Sequence, residues 1–324
     1  MKPLLLILDD WEGLIAASPH WEKLKEQVEI KFLDKPILSV PESEITDTVF
    51  LMPLRERTAL TEQVFAKLPK LKLILQTGGH AYHIDTDAAQ KRGITIALGR
   101  KVKAPLNSVP ELVYAMMLGL IHKVPTAQPA MHKGEWPLVT GRTLAGKRLG
   151  ILGIGRHGSK VAHIAKAAFN MEVVAWDRPG SKNANTDNIP RISLDELLKT
   201  SDIVSIHLRL SPESENLLNG EHLSKMKKGS ILINTSRGAI IDETALVHVL
   251  KNGPLASAGL DVFAHEPLPA DSPLRSLPNV ILTPHIGWTV EEVFEEFATI
   301  ASTQLLDYLQ GKLASSELLA TQLH

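Results

Sequence analysis

Residues 148–158 read Arg-Leu-Gly-Ile-Leu-Gly-Ile-Gly-Arg-His-Gly, and they sit near the middle of a 324-residue chain. Leu149–Leu152 reads as a buried strand, and Gly153-x-Gly155-x-x-Gly158 then turns the chain into a helix running to about Phe169. The first glycine permits the tight turn, the second lets backbone approach a pyrophosphate, and the third lets helix and strand pack closely, with the phosphates on the helix N-terminus. A second strand, Glu172–Trp176, follows and ends in Asp177, 19 residues after Gly158. That is where a carboxylate meets the adenine ribose hydroxyls. Gly153, Gly155, Gly158 and Asp177 therefore mark a dinucleotide site, whereas the glycines alone would also fit an ordinary strand-to-helix turn.

Working outward, the chain before this turn alternates short apolar strands (Leu4–Leu8, Val28–Phe32, Val49–Met52, Leu71–Leu75, Ile94–Leu98) with helical segments. Ser18-Pro19 opens one helix, Thr61–Leu68 is another, and Asp85–Arg92 closes at Gly93. Ser108-Val109-Pro110-Glu111 has the capping-box pattern and starts an apolar helix to about Ile121; residues 124–147, with Pro125, Pro129, Trp136 and Pro137, read as a loop-rich arm. Beyond the turn come strands near Ile203–Ile206, Ser230–Asn234, Ser257–Leu260 and Val280–Leu282, then an apolar stripe from Val290 to Tyr308 at helical spacing. The expected class is α/β: two Rossmann-like, doubly wound parallel-sheet domains, with a nucleotide domain at 99–289 inserted in a substrate domain made of 1–98 and 290–324.

Lys and Arg number 35 against 36 Asp and Glu, so no charge excess recruits nucleic acid or anionic lipid. Cysteine is absent, which removes disulfides, thiolate nucleophiles and Cys-based metal sites. The run Leu4–Leu8 meets Asp9-Asp10 and reads as a strand rather than a signal peptide. A cytoplasmic protein with no membrane partner is the expectation.

Three ionisable residues lie near the ends of expected strands: Arg237 in Asn-Thr-Ser-Arg-Gly, Glu266 in Ala-His-Glu-Pro, and His285 in Thr-Pro-His-Ile-Gly. In an open parallel sheet ligands bind beyond the carboxyl ends of the strands, so all three can converge on the cofactor crevice. Each also has an ordinary reading, as a surface arginine, a turn acid or a core histidine. The order of fingerprint, Arg-Gly, Glu-Pro and Pro-His resembles the D-isomer-specific 2-hydroxyacid dehydrogenases over nearly the whole chain.

That resemblance implies two Rossmann-like domains, NAD as cofactor, and hydride transfer between NAD(H) and a 2-keto or 2-hydroxy acid, running as a keto acid reductase on glyoxylate, hydroxypyruvate or a larger substrate. It makes Arg237 the substrate clamp, His285 the acid/base and Glu266 its partner. It adds Arg156, His157, His207, Thr235, Asp261 and Gly287 to the cofactor contacts, Asp261 receiving the nicotinamide carboxamide. Gln76-Thr77-Gly78-Gly79-His80 resembles the substrate loop, whose backbone amides take the carboxylate. D-specificity and a homodimer, joined through the capped helix and arm, are implied by the resemblance alone.

The chemistry suits these residue types. Arginine offers a planar fork to adjacent carboxylate and carbonyl groups, and histidine titrates near neutrality. A carboxylate on its other ring nitrogen fixes the tautomer and favours the protonated form. Arg55 reads equally as a substrate contact or a solvated surface residue. His80 and His83 read as loop residues bordering the substrate, with no metal expected. Arg209 stands where the family commonly has proline, and Arg178 beside Asp177 could accept a 2′-phosphate. An NAD(H)-sensing, corepressor-like protein without catalysis is the alternative from another class, and a phosphite-type dehydrogenase is a third reading.

Overall fold

The computed structural model describes residues 2–178, 181 and 188–319. The chain divides into two compact units, Met1–Ala104 with Val290–His324, and Pro105–Thr289. The second is thus inserted in the first. The expected boundary at 98/99 falls at 104/105, because the intervening residues stay tied to the first unit. The amides of Lys103 and Ala104 both donate to Glu296, at 2.7 and 3.0 Å.

In the first unit β1 (Leu4–Leu8), β2 (Glu29–Leu33), β3 (Thr48–Met52), β4 (Leu73–Gln76) and β5 (Thr95–Leu98) form one parallel sheet in the order β2-β1-β3-β4-β5. Strand residues alternate between faces. Leu6, Leu8, Leu51, Ile74 and Ile96 share one core cluster with Val64, Phe65 and Ala89 from the helical segments. On the sheet's other side, Phe50 meets Tyr308 of the helix Glu291–Leu309 edge to face. Local signals act as read. Asp85 caps Thr86–Lys91 by accepting the Ala88 amide, and Gly93 takes the left-handed conformation beyond the helix end.

The second unit carries β6 (Arg148–Leu152), β7 (Glu172–Trp176), β8 (Ile203–Ile206), β9 (Ser230–Asn234), β10 (Leu255–Leu260) and β11 (Val280–Leu282), all parallel, in the order β11-β10-β9-β8-β6-β7. The order reverses between β6 and β8. That switch point is where a crevice opens at the strands' carboxyl ends. Both faces are covered: Leu152, Val204, Ile206 and Leu232 belong to one cluster, while Leu149, Ile151, Ile203 and Ile231 belong to another with Val113, Met116 and Leu120 of the preceding helix.

Two expectations need correction here. The helix expected from Ser108 starts a turn earlier and spans Pro105–Ile121, because proline is pre-set for a first helical position. Ser108 is no cap; its hydroxyl donates to the Gly287 carbonyl at 2.7 Å. The arm read as loop-rich contains the helix Val124–His132, entered through Lys123 in the left-handed conformation, with Pro125 in its tolerant first turn. No residue of that helix is buried, and Trp136 and Leu138 beyond it are 82% and 97% exposed.

Candidate active site and dinucleotide site

The switch point of the second unit is built around the glycine turn. Gly153 adopts φ +94°, and a Cβ there would come within 2.8 Å of the His207 carbonyl at the end of β8. A Cβ on Gly158 would lie 2.1 Å from the Gly153 carbonyl, so this third glycine lets the helix Arg156–Phe169 seat against the turn. At Gly155, by contrast, a Cβ would meet nothing within 4 Å among the described residues. This open face at the helix start fits the close approach of a pyrophosphate. Arg156 and His157 are the first two residues of that helix.

Asp177 continues β7 and accepts the Ile154 amide at 3.1 Å, while its other oxygen pairs with Arg191 at 3.5 Å. The carboxylate is therefore held beside the glycine turn. Arg178 turns to the 211–213 segment, donating to Ser211 Oγ at 2.7 Å with Glu213 3.7 Å away. Arg209 is exposed, and its carbonyl accepts from Ser214. Burial, with His157 nearby, pushes the His207 imidazole down to about 3, so it is neutral and shares a hydrogen bond with Ser205 at 2.9 Å. The Thr235 hydroxyl is buried without a hydrogen-bond partner among the described residues, and a polar ligand would satisfy it. These features fit a bound dinucleotide.

The acid/base candidates meet beyond the ends of β9, β10 and β11. Arg237 and Gly238 follow β9, and a Cβ on Gly238 would sit 1.9 Å from the Phe263 carbonyl carbon. Only glycine lets the two backbones touch, and this contact brings Arg237 to the turn carrying Glu266. Glu266 accepts the Phe263 amide through Oε1 at 2.9 Å and meets His285 Nδ1 through Oε2 at 2.7 Å. Burial raises the Glu266 carboxyl, but the bond and charge of His285, the Phe263 amide and the charge of Arg237 outweigh it and hold it below the usual range. Nδ1 is occupied by Glu266, which leaves Nε2 for proton exchange with a ligand.

His285 sits in the left-handed region at φ +56°. Sequence reasoning did not foresee what holds it there. Asp261, 1% exposed, accepts from Thr283 Oγ1 at 2.5 Å, the Ile286 amide at 2.8 Å and the Gly287 amide at 2.9 Å. Burial raises the Asp261 carboxyl, against the pull of these donors and of His285. Trp288, next along, is buried.

Arg55, Gly78, Gly79 and His80 belong to the first unit. Arg55 has φ +54° and donates its amide to Thr77 Oγ1 at 2.6 Å. Its guanidinium lies against Gly78, where a Cβ would meet Nη1 at 2.4 Å. Its Nε is 3.4 Å from Glu56, and Glu56 in turn meets His80 Nε2 at 3.0 Å. His80 stacks on Tyr82. Arg55 is therefore no solvated surface residue; its side chain is 16% exposed and locked to the 76–80 loop. Burial and Arg55 lower the His83 imidazole against the opposing pull of Glu56, so it stays neutral.

The description "D-isomer specific 2-hydroxyacid dehydrogenase, NAD binding domain" matches residues 114–287, more than half of the chain. The chain belongs to this family. The matched residues are an NAD-binding domain, so the cofactor of the second unit is NAD. Among relatives of the D-isomer-specific 2-hydroxyacid dehydrogenases, a hydroxypyruvate reductase of Blautia hydrogenotrophica is 32% identical over 315 residues, 93% of this chain and 92% of that protein. A D-3-phosphoglycerate dehydrogenase of Methanocaldococcus jannaschii is 36% identical over 270 residues, 82% of this chain but 51% of that protein, so the chain spans about half the length of that relative. The D-lactate dehydrogenase of Aquifex aeolicus, solved with NAD and lactic acid, is 28% identical and superposes with a TM-score of 0.82 over 98% of both chains.

Proposed function

We propose that this chain is an NAD-dependent D-2-hydroxyacid dehydrogenase working as a 2-keto acid reductase, on glyoxylate, hydroxypyruvate or a larger keto acid. The observation that carries the reading is the 2.7 Å contact between His285 and Glu266, with the charge of Arg237 beside it. NADH, when bound, supplies the hydride. Arg237 holds the substrate carboxylate and carbonyl oxygen in its planar fork, which fixes the carbonyl and polarises it. Gly78, Gly79, His80 and Arg55 of the first unit are substrate contacts in this reading, on the likeness of the 76–80 loop to the family's substrate loop. His285 Nε2 gives its proton to the former carbonyl oxygen, and Glu266 stabilises the imidazolium before that transfer. In oxidation the same imidazole, neutral, accepts the proton. Thr235, His207, Asp261 and Gly287, with Arg156 and His157, form the rest of the cofactor contacts.

A sensor without catalysis would not need a carboxylate hydrogen-bonded to an imidazole beside an arginine, so the acid/base pair favours the enzyme over a corepressor-like reading. A phosphite-type substrate would use the same three residues and is separated only by assay. Incubation with NADH and a panel of glyoxylate, hydroxypyruvate, pyruvate and phenylpyruvate, with phosphite and NAD as the reverse arm, tests the proposal. Reduction of at least one keto acid is expected; NADH binding with no turnover on any of them refutes it. The exposed Val124, Met131, Trp136 and Leu138 of the arm support a homodimer, in which a second copy would cover them. The setting is cytoplasmic, consistent with helices none of which, among the described residues, is long and apolar enough to cross a membrane.

A further inference from the structure

The His285 loop poses a physical problem that its own residues do not solve. A non-glycine residue at φ +56° costs about 1 kcal/mol or more and persists only where surrounding structure over-determines it. Within the loop itself, the His285 amide donates to the Thr283 carbonyl at 3.0 Å and the Thr289 amide to the Ile286 carbonyl at 3.0 Å. Neither bond sets the orientation of the imidazole.

The orientation is set from β10. Asp261 directly follows that strand, and its own amide donates to the Asn234 carbonyl at 2.9 Å, so its backbone is anchored in the sheet. Its carboxylate, almost wholly buried, takes donors from both sides of His285: the Thr283 hydroxyl before it, and the Ile286 and Gly287 amides after it. A buried charge needs such donors, and here all three lie within two residues of one imidazole. Gly287 is part of the arrangement, since a Cβ there would stand only 3.0 Å from Asp261 Oδ2. The Gly287 carbonyl is held in turn by Ser108 at 2.7 Å.

We propose that Asp261 is a positioning residue for His285: its carboxylate clamps the 283–287 loop in the left-handed geometry that places Nδ1 on Glu266 and aims Nε2 outward. This goes beyond a role toward the nicotinamide, and it rests on the reading of His285 as the proton donor. A carboxylate offers about four lone-pair sites. Three are used within the protein, so a site remains on Oδ2 for a cofactor amide, and the two roles coexist.

Amide hydrogen exchange on the full chain, with and without NADH, reads the loop independently of any reaction. In Asp261→Asn one acceptor oxygen becomes a donor facing an N–H. The Ile286 and Gly287 amides should then exchange about tenfold faster or more, the worth of a hydrogen bond to a charged acceptor, while the amides of β10 keep their rates. Thr283→Val removes one clamp donor and leaves both oxygens of Asp261 open to the cofactor. It should lower kcat about three- to tenfold with KM for NADH unchanged, and Thr283→Ser should restore kcat. Unaltered exchange at Ile286 and Gly287 in Asp261→Asn, or a Thr283→Val effect confined to KM for NADH, overturns the proposal. If the wild-type chain reduces no keto acid, the exchange result still decides the clamp, and the failure belongs to the dehydrogenase reading alone.

Discussion

Glu266 divides its carboxylate between two partners, the Phe263 amide at 2.9 Å on Oε1 and His285 Nδ1 at 2.7 Å on Oε2. The first bond anchors the side chain to its own turn, so the second is directional. The carboxylate is thus fixed in its direction toward the imidazole, and its carboxyl, held below the usual range, stays ionised throughout the neutral pH range.

Removing that charge should move the pH dependence of both reactions. Glu266→Gln keeps a hydrogen-bonding group but disfavours imidazolium. Keto acid reduction draws on the protonated imidazole and hydroxy acid oxidation on the neutral one, so both activity limbs should move to lower pH. His285→Ala should depress turnover roughly 10²–10⁴-fold, the usual worth of general acid–base catalysis, while NADH still binds. pH–rate profiles in both directions check this; stationary limbs in Glu266→Gln would remove Glu266 from the mechanism.

Arg237→Lys should fold normally, since Gly238 rather than the guanidinium makes the close contact with Phe263. Lysine keeps the charge and loses the fork. A loss in kcat/KM of about a hundredfold, or ~2.7 kcal/mol of transition-state stabilisation, is expected. A variant close to wild type would show that Arg237 is not the clamp.

NADH should be preferred to NADPH. Asp177 stands beside the glycine turn and would repel a 2′-phosphate, and Arg178 is engaged with Ser211 and Glu213. Asp177→Ala should narrow the difference between the two cofactors in kcat/KM. A wild-type preference for NADPH would contradict the assignment.

Stability should fall in acid through Asp202, which accepts the Arg148 amide at 3.0 Å and pairs with Lys227 at 2.8 Å. Burial raises its carboxyl, but these partners and the charge of Lys147 win and lower it. A folded pKa below the unfolded one means the stabilisation is present above the unfolded value, about 3.9, and disappears as pH falls through the folded value. Asp202→Asn should cost on the order of 1–2 kcal/mol at pH 7, and the gap should close in strong acid. Thermal melts of both proteins at pH 7 and pH 3 measure it.

Much of this architecture was legible because it depends on local patterns. β1, β7, β8, β9 and β11 have the bounds that their apolar runs suggest, since the strands of a parallel sheet covered on both faces read as short apolar segments. Asp85 and Gly93 punctuate their helix as their residue types require. Boundaries set by competition were less legible. Ser108 has a cap's signature, yet its hydroxyl serves Gly287 and Pro105 begins the helix. Residues 124–132 are rich in proline and still helical, because Pro125 falls in the tolerant first turn.

The sequence by itself determined the alternation of strands and helices, the glycine turn with its acid at β7, and the identity of the three ionisable groups beyond β9, β10 and β11. Those features are short-range: periodicity, a turn needing φ above zero, and residue chemistry at strand ends. Only the tertiary structure decided how the groups are held. The approach of Gly238 to Phe263, the pairing of Glu266 with His285 and the clamp of Asp261 on the 283–287 loop join residues 19 to 26 positions apart. Contacts across such separations follow from the packing of whole strands, which no local pattern encodes.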